Sequence, residues 1–280
     1  MDAHALVYLP PLMRLTSGKP EVVVGIIDGP VALELDHFTG IRTRETLLQN
    51  GQCARNNTIA CAHGTLVTGV LFANRASSLP GICPGCTVLI EPIFSDAEGE
   101  TPLASQAELA GAIVRAIEAG VKVLNISAAL THQTSQSERR LIDALNLAAA
   151  RGVIVVAAAG NQRAMGSSAI TRHPWVIPVA ACGAKGEPTE SSNLGASIGR
   201  RGLLAPGVEV AAFGSDNRPR SFGGTSAAAP FVTGTIALLC SLFPRVPAAH
   251  VLRAVTRDGL RKTVIPPLLD AWSAYKLLAG

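Results

Sequence analysis

Charge is scarce in this 280-residue chain, at 16% of residues, and aromatic side chains are scarcer still, at 4%. So little charge beside 48% apolar residues excludes a disordered, self-repelling chain. Few aromatics among abundant Ala, Gly, Val and Leu point to a core of small and branched side chains, as in closely packed α/β layers. The net charge of +4 comes without a long basic run, so no nucleic-acid partner is indicated. No stretch of 18 or more uninterrupted apolar residues occurs, and no membrane span is expected. The N-terminus, MDAHALVYLPPLMRLTSGKP, lacks a basic segment followed by a long apolar one. No signal peptide is read there, and the expected location is cytoplasmic. No Gly/Ser linker, repeat or break in composition divides the chain. One domain over residues 1–280 is therefore expected, with its core at about 20–260.

Cysteine is present six times, without a second Cys/His pair that would complete a zinc site. Cys182 and Cys240 sit in apolar contexts and read as inert buried thiols. Cys53 and Cys61 bracket the polar loop CARNNTIAC and could close it as a disulfide, whereas Cys83-Pro84-Gly85-Cys86 reads as a turn. A cytoplasmic setting weighs against stable disulfides, so both pairs stay open at this level.

What is there is alternation. EVVVGIID, TVLIEPIF, VKVLNIS, VIVVAAAG and WVIPVAAC are continuous apolar runs, the pattern of strands buried on both faces. Between and after them lie helical patterns: HGTLVTGVLFA, ASQAELAGAIVRAIEAG, SQSERRLIDALNLAAARG, GTSAAAPFVTGTIALLCSLF, PAAHVLRAV and PLLDAWSAYKLL. Gly120 and Gly152 end two of them. Such alternation predicts an α/β fold of three layers, a mainly parallel central sheet with helices on both faces. In these sheets ligands gather at the carboxyl ends of strands. Asp28, Asn125, Ser127 and Asn161 all fall there.

Three segments carry candidate chemistry. Asp28 ends the first strand, His63 sits in AHGTLVTG at a helix start, and Ser226 opens the small-residue helix of SFGGTSAAAPFVTG. Each has a structural alternative: a turn or helix cap, a satisfied histidine, an N-cap. Together they form the set that nucleophilic catalysis by serine needs. A hydroxyl is a poor nucleophile until a base takes its proton, and the base needs an orienting group. The chain order Asp, His, Ser is that of subtilisin.

VVVGIIDGP, AHGTLVTGV, VLNIS, VIVVAAAGN, LLAPGVEV and GGTSAAAPFVTG resemble, in order, the motifs of subtilases, the subtilisin-like serine proteases. The resemblance implies a serine endopeptidase with Ser226 as nucleophile, His63 as general base and Asp28 as orienter. It implies Asn161 as an oxyanion-hole donor together with the Ser226 backbone N–H, and Ser127 at the end of a strand that pairs with an extended peptide. Gly224 and Thr225 would shape the nucleophile turn. IDGPVALELDHF, GICPGCTVLIEPIF and GLLAPGVEVAAF further resemble the proteases of cyanobactin-type ribosomal peptide maturation. That group holds leader-cleaving hydrolases and macrocyclising transpeptidases. The macrocyclases carry an added helical insertion. The loop TRETLLQNGQCARNNTIAC has only a short helical possibility, which favours hydrolysis.

The chain departs from the family pattern at three places. Gly29 stands where Ser or Thr usually follows the Asp. Ala227 replaces the usual Met after the nucleophile, so no thioether is open to oxidation there. Ser127-Ala128-Ala129-Leu130 replaces SLGG, and the two added β-carbons of Ala128 and Ala129 predict a narrower first specificity pocket. Asp96, Glu98 and Glu100 form an acidic rim on the segment expected to flank the upstream substrate residues. That rim would favour basic residues there, against the alternative of a solvated acidic loop. Calcium is common in subtilases, but no dense oxygen-ligand loop stands out, and no metal or other cofactor is expected. Only about 20 residues precede the first strand, too few for a folded inhibitory prosegment within this chain. Two alternatives to hydrolysis remain: a transpeptidase using the same acyl-enzyme, and an inactive peptide-binding scaffold.

Overall fold

The computed structural model describes residues 2–45, 51–94, 104–127, 135–257 and 262–280. Two short helices, α1 (Ala3–Leu6) and α2 (Leu9–Leu15), lead into strand β1 (Val23–Asp28). A short exposed strand, β2 (Arg42–Arg44), precedes helix α3 (Ile59–Phe72) and strand β3 (Thr87–Pro92). Then follow α4 (Gln106–Glu118), β4 (Val123–Ile126), α5 (Ser135–Arg151), β5 (Ile154–Ala158), α6 (Ala169–Arg172) and β6 (Val176–Cys182). Helix α7 (Ala196–Arg201), strand β7 (Leu203–Pro206) and the hairpin β8 (Val210–Phe213) and β9 (Pro219–Phe222) come next. The chain closes with α8 (Thr225–Leu242), α9 (Ala248–Thr256) and α10 (Ala271–Ala279).

All five strands expected from the apolar runs form. They belong to a seven-stranded sheet in the order β2-β3-β1-β4-β5-β6-β7, with every described pairing parallel. The apolar runs are continuous because alternate side chains enter two different cores. Val24 and Ile26 of β1 pack with α3 and α8, while Val23 and Ile27 pack with α4 and α5. The expected three-layer α/β architecture is thus realised. The strands not anticipated are those with weak local signals: three exposed residues in β2, a Pro-ended β7, and a hairpin whose β9 residues are mostly exposed.

Helix α8 is long and apolar enough, by length and composition, to cross a membrane, yet 83% of it is buried inside the fold. It lies across β4, β5, β6 and β7 as the central core helix. Its Ala residues let it approach the sheet closely, and Gly234 makes room for Ile82, whose side chain would stand 2.5 Å from a β-carbon there. The guanidinium of Arg75, after α3, donates to the carbonyls of Met13, Thr16, Gly81 and Ile82. Four acceptors offset the cost of burying that cation and tie the N-terminal segment to the body.

Strand order reverses around β1. The chain leaves β1 for β3 on one side, then crosses to β4 on the other. Ligand crevices in open parallel sheets form at such points, beyond the carboxyl ends of the strands. Asp28, Ser127 and Asn161 follow the ends of β1, β4 and β5, which are adjacent in the sheet.

Candidate active site

Asp28 is fully buried at the end of β1. Its Oδ1 accepts the His63 Nδ1–H at 2.7 Å and the Gly29 N–H at 2.6 Å. Its Oδ2 is buried with no hydrogen-bond partner among the described residues. His63 keeps 32% of its side chain exposed, so its outer nitrogen is within reach of a ligand. Burial pushes the His63 pKa down, but the Asp28 charge and hydrogen bond push it up and prevail, leaving it above the usual histidine value.

His63 lies in the second turn of α3, not at the helix start expected from the sequence. The helix begins earlier because Thr58 caps it, its hydroxyl accepting the Cys61 N–H at 3.1 Å. Two glycines allow this helix to reach Asp28. A β-carbon on Gly29 would stand 2.1 Å from the Ala60 carbonyl oxygen, and one on Gly64 would stand 2.5 Å from the carbonyl oxygens of Gly29 and Pro30. The hydroxyl residue usual at position 29 therefore has no room here.

The sequence left the pairing of Cys53 and Cys61 open; the structure joins them in a disulfide. Cys53 N–H also bonds the Val31 carbonyl, and Val31 N–H bonds the Gly51 carbonyl. The bridge thus fastens the segment just after Asp28 to the helix that carries His63. Cys83 and Cys86 are free, buried thiols, and Cys86 N–H turns back to the Cys83 carbonyl. Burial pushes Cys182 up to about 12 and Cys240 up to about 11, consistent with inert thiols. Because Cys53 and Cys61 stand eight apart in sequence, the closed loop is short, and Cys53→Ser should cost about 2–3 kcal/mol of stability. Urea titration checks this; an unchanged midpoint would mean the loop is held without the bridge.

Ser226 is the second residue of α8. Gly224 before it takes a φ of +89°, and a β-carbon there would come within 2.8 Å of Asn161 Nδ2. Only glycine fits both the conformation and the contact. Thr225 N–H donates to Asn161 Oδ1 at 2.9 Å, and Gly160 N–H donates to Thr225 Oγ1 at 3.1 Å. With its oxygen held by Thr225, the Asn161 amide keeps its N–H groups without a hydrogen-bond partner among the described residues. Pro230 stands four residues after Ser226 and has no N–H to donate back to its carbonyl, yet α8 runs unbroken through it. The helix N-terminus also favours negative charge beside Ser226. The His63 ring meets Phe222 edge-on at 6.5 Å, four residues before Ser226. Ser226, the nucleophile expected from the resemblance, makes no hydrogen bond to His63: its Oγ has no hydrogen-bond partner among the described residues. Such bonds are commonly long in ligand-free sites and tighten when substrate binds.

Ser127 is buried at the end of β4, and its Oγ accepts from Asn125 Nδ2 at 3.0 Å. Asn125 Oδ1 in turn accepts the Thr233 hydroxyl at 2.9 Å, linking this strand end to α8. Ala128 and Ala129, and the rim residues Asp96, Glu98 and Glu100, lie outside the described residues. Among the described residues, no group of three or more His, Cys, Asp or Glu side chains could hold a metal ion. Sequence reasoning passed over Asn193, whose side chain bonds to the residues around Asn161. It stands 32 positions away in a polar stretch that reads as a loop, and carries no local signal.

The profile of the subtilase family matches residues 20–265. A thermophilic serine proteinase of Bacillus sp. (strain AK1) is 33% identical over 181 residues, which are 64% of this chain and 42% of that protein. The chain thus spans less than half the length of that relative. A serine-to-alanine mutant of the protease domain of PatA superposes with a TM-score of 0.84 at 31% identity, covering 94% of this chain and 97% of that one. The prenylagaramide maturation protease PagA superposes with a TM-score of 0.84 at 27% identity, covering 98% and 99%.

Proposed function

The chain belongs to the subtilase family of serine peptidases, and from that membership we propose that it cleaves peptide bonds through an acyl-enzyme on Ser226. The observation that carries this reading is the Asp28–His63 hydrogen bond of 2.7 Å, set at the strand-order reversal where the Asn161–Thr225 contact also brings the nucleophile turn to the strand ends. Ser226 Oγ attacks the scissile carbonyl while His63 takes its proton. His63 then returns that proton to the leaving amine. Asp28, accepting from Nδ1, keeps the other ring nitrogen free to act as base and stabilises the imidazolium. Asn161 and the Ser226 N–H face the developing oxyanion, helped by the α8 dipole. Water then releases the acyl group.

The substrate proposed is a ribosomally made precursor peptide, cut to free its leader. The support is the likeness to two proteases whose chains this one covers almost completely, PagA described as a prenylagaramide maturation protease and PatA as a patellamide maturation protease. Incubating the protein with a peptide library and weighing the products tests both parts. Fragments whose masses sum to substrate plus one water are expected. Products whose masses sum to the substrate, or to substrate plus an acceptor peptide, with no water added would identify a transpeptidase instead, and no products at all would leave only a binding scaffold.

A further inference from the structure

We propose that Asn193 is a positioning residue for Asn161: its carboxamide clamps residues 159–164 so that the Asn161 side chain is held against the N-terminus of α8. The inference rests on the oxyanion role proposed above for Asn161.

Residues 161–166 are all exposed, so apolar packing does little to fix them, and a segment of that kind opens easily unless hydrogen bonds restrain it. Among the described residues, Asn161 is hydrogen-bonded to the nucleophile turn only through its Oδ1, which accepts from Thr225. The restraint on its backbone comes from the loop between β6 and α7. There Asn193 Oδ1 accepts two backbone N–H groups, from Gln162 at 3.0 Å and Ala164 at 2.9 Å. Asn193 Nδ2 donates to the Ala159 carbonyl at 3.1 Å and to Gln162 Oε1 at 2.7 Å. Its backbone N–H donates to the Gly160 carbonyl at 2.9 Å. One primary amide offers two donors and two acceptor sites, and here all four are used on residues flanking Asn161 on both sides. The amide orientation follows from the partners. Reversed, it would set its oxygen against the Ala159 carbonyl and its NH2 against two N–H groups.

The clamp also accounts for a glycine. Gly160 has a φ of +101°, and a β-carbon there would lie 2.4 Å from Asn193 Nδ2. The chain turns sharply at Gly160 under the Asn193 amide, and Asn161 leaves that turn toward Thr225. Backbone bonds from Arg163 N–H to the Ser191 carbonyl and from Leu194 N–H to the Ala164 carbonyl continue the contact. These leave the loop docked; the Asn193 side chain fixes the residues next to Asn161.

A displacement of about 1 Å in a catalytic group can cost about 100-fold in rate. Asn193→Ala should therefore lower kcat by about 10- to 100-fold with KM little changed, when rates are normalised to active sites titrated with a fluorophosphonate. A role in folding alone would lower the titratable fraction and leave kcat per site intact, overturning the proposal. The sharper measurement is a cycle with Asn161→Ala, expected to lose about 100- to 1,000-fold in kcat on the scale set by subtilisin itself. If Asn193 acts through Asn161, adding Asn193→Ala to Asn161→Ala should cost little more. Multiplying losses would overturn the clamp while leaving the oxyanion role standing. An Asn161→Ala protein with unchanged kcat would instead bring down the oxyanion role and the clamp with it. Should Asn193→Ala not fold, Asn193→Asp carries the same cycle. Its carboxylate keeps the two acceptor contacts, has no proton for the Ala159 carbonyl, and should lose about tenfold in kcat, a loss that likewise vanishes beside Asn161→Ala.

Discussion

Ser226→Ala should lose essentially all peptide cleavage, about a millionfold in kcat on the scale set by subtilisin itself, and all labelling by a fluorophosphonate. The reason is chemical. The acyl-enzyme route needs an oxygen nucleophile at that point, and Ala leaves only the donors that would stabilise the transition state. The fold should be unaffected, because Ser226 is partly exposed and makes no hydrogen bond among the described residues. Circular dichroism and thermal unfolding of the variant should match the parent. Labelling that survives the substitution would mean that another side chain is the nucleophile.

Asp28→Asn should cost about 10,000-fold in kcat and also change its pH dependence. An amide at that position can donate to Nδ1, which stabilises the tautomer whose proton sits on the nitrogen needed as base. Since His63 must be neutral to accept a proton, activity falls as pH drops through its pKa. Burial lowers that pKa, but Asp28 raises it by more, so the acid limb of kcat/KM for the parent should lie above about pH 6.5. In Asp28→Asn the raising cause is removed and burial remains, so the limb should move to lower pH. A limb that stays in place would show that Asp28 does not set the His63 pKa. Donation to Nδ1 places the amide NH2 where Oδ1 now also accepts the Gly29 N–H at 2.6 Å, so the variant removes that contact together with the charge, and thermal unfolding of the variant measures the stability part separately.

Much of this was legible from residue order. The runs containing Val23–Asp28, Ile154–Ala158 and Val176–Cys182 are long, apolar and punctuated, so their strands and the polar residues at their ends follow from local pattern. The motifs around His63 and Ser226 are contiguous, and each side chain's neighbours in sequence shape its immediate surroundings. The β8–β9 hairpin was not legible, because its register comes from strand pairing and mostly exposed residues carry little burial pattern. The true start of α3 was missed because Thr58 and Ile59 belong to a stretch that reads as a polar loop.

By itself the sequence determined the layered α/β class, the strand ends that bear polar groups, and the identity of Asp28, His63, Asn161 and Ser226 as the residues to watch. Burial periodicity and turn chemistry are local, so they can be read along one line of residues. Only the tertiary structure decided that Gly29 and Gly64 let α3 close on β1, that Cys53 and Cys61 join beside them, and that Asn193 folds back under Asn161. Those relations depend on how tightly separate segments pack, a quantity set by three-dimensional contact that no window of neighbouring residues contains.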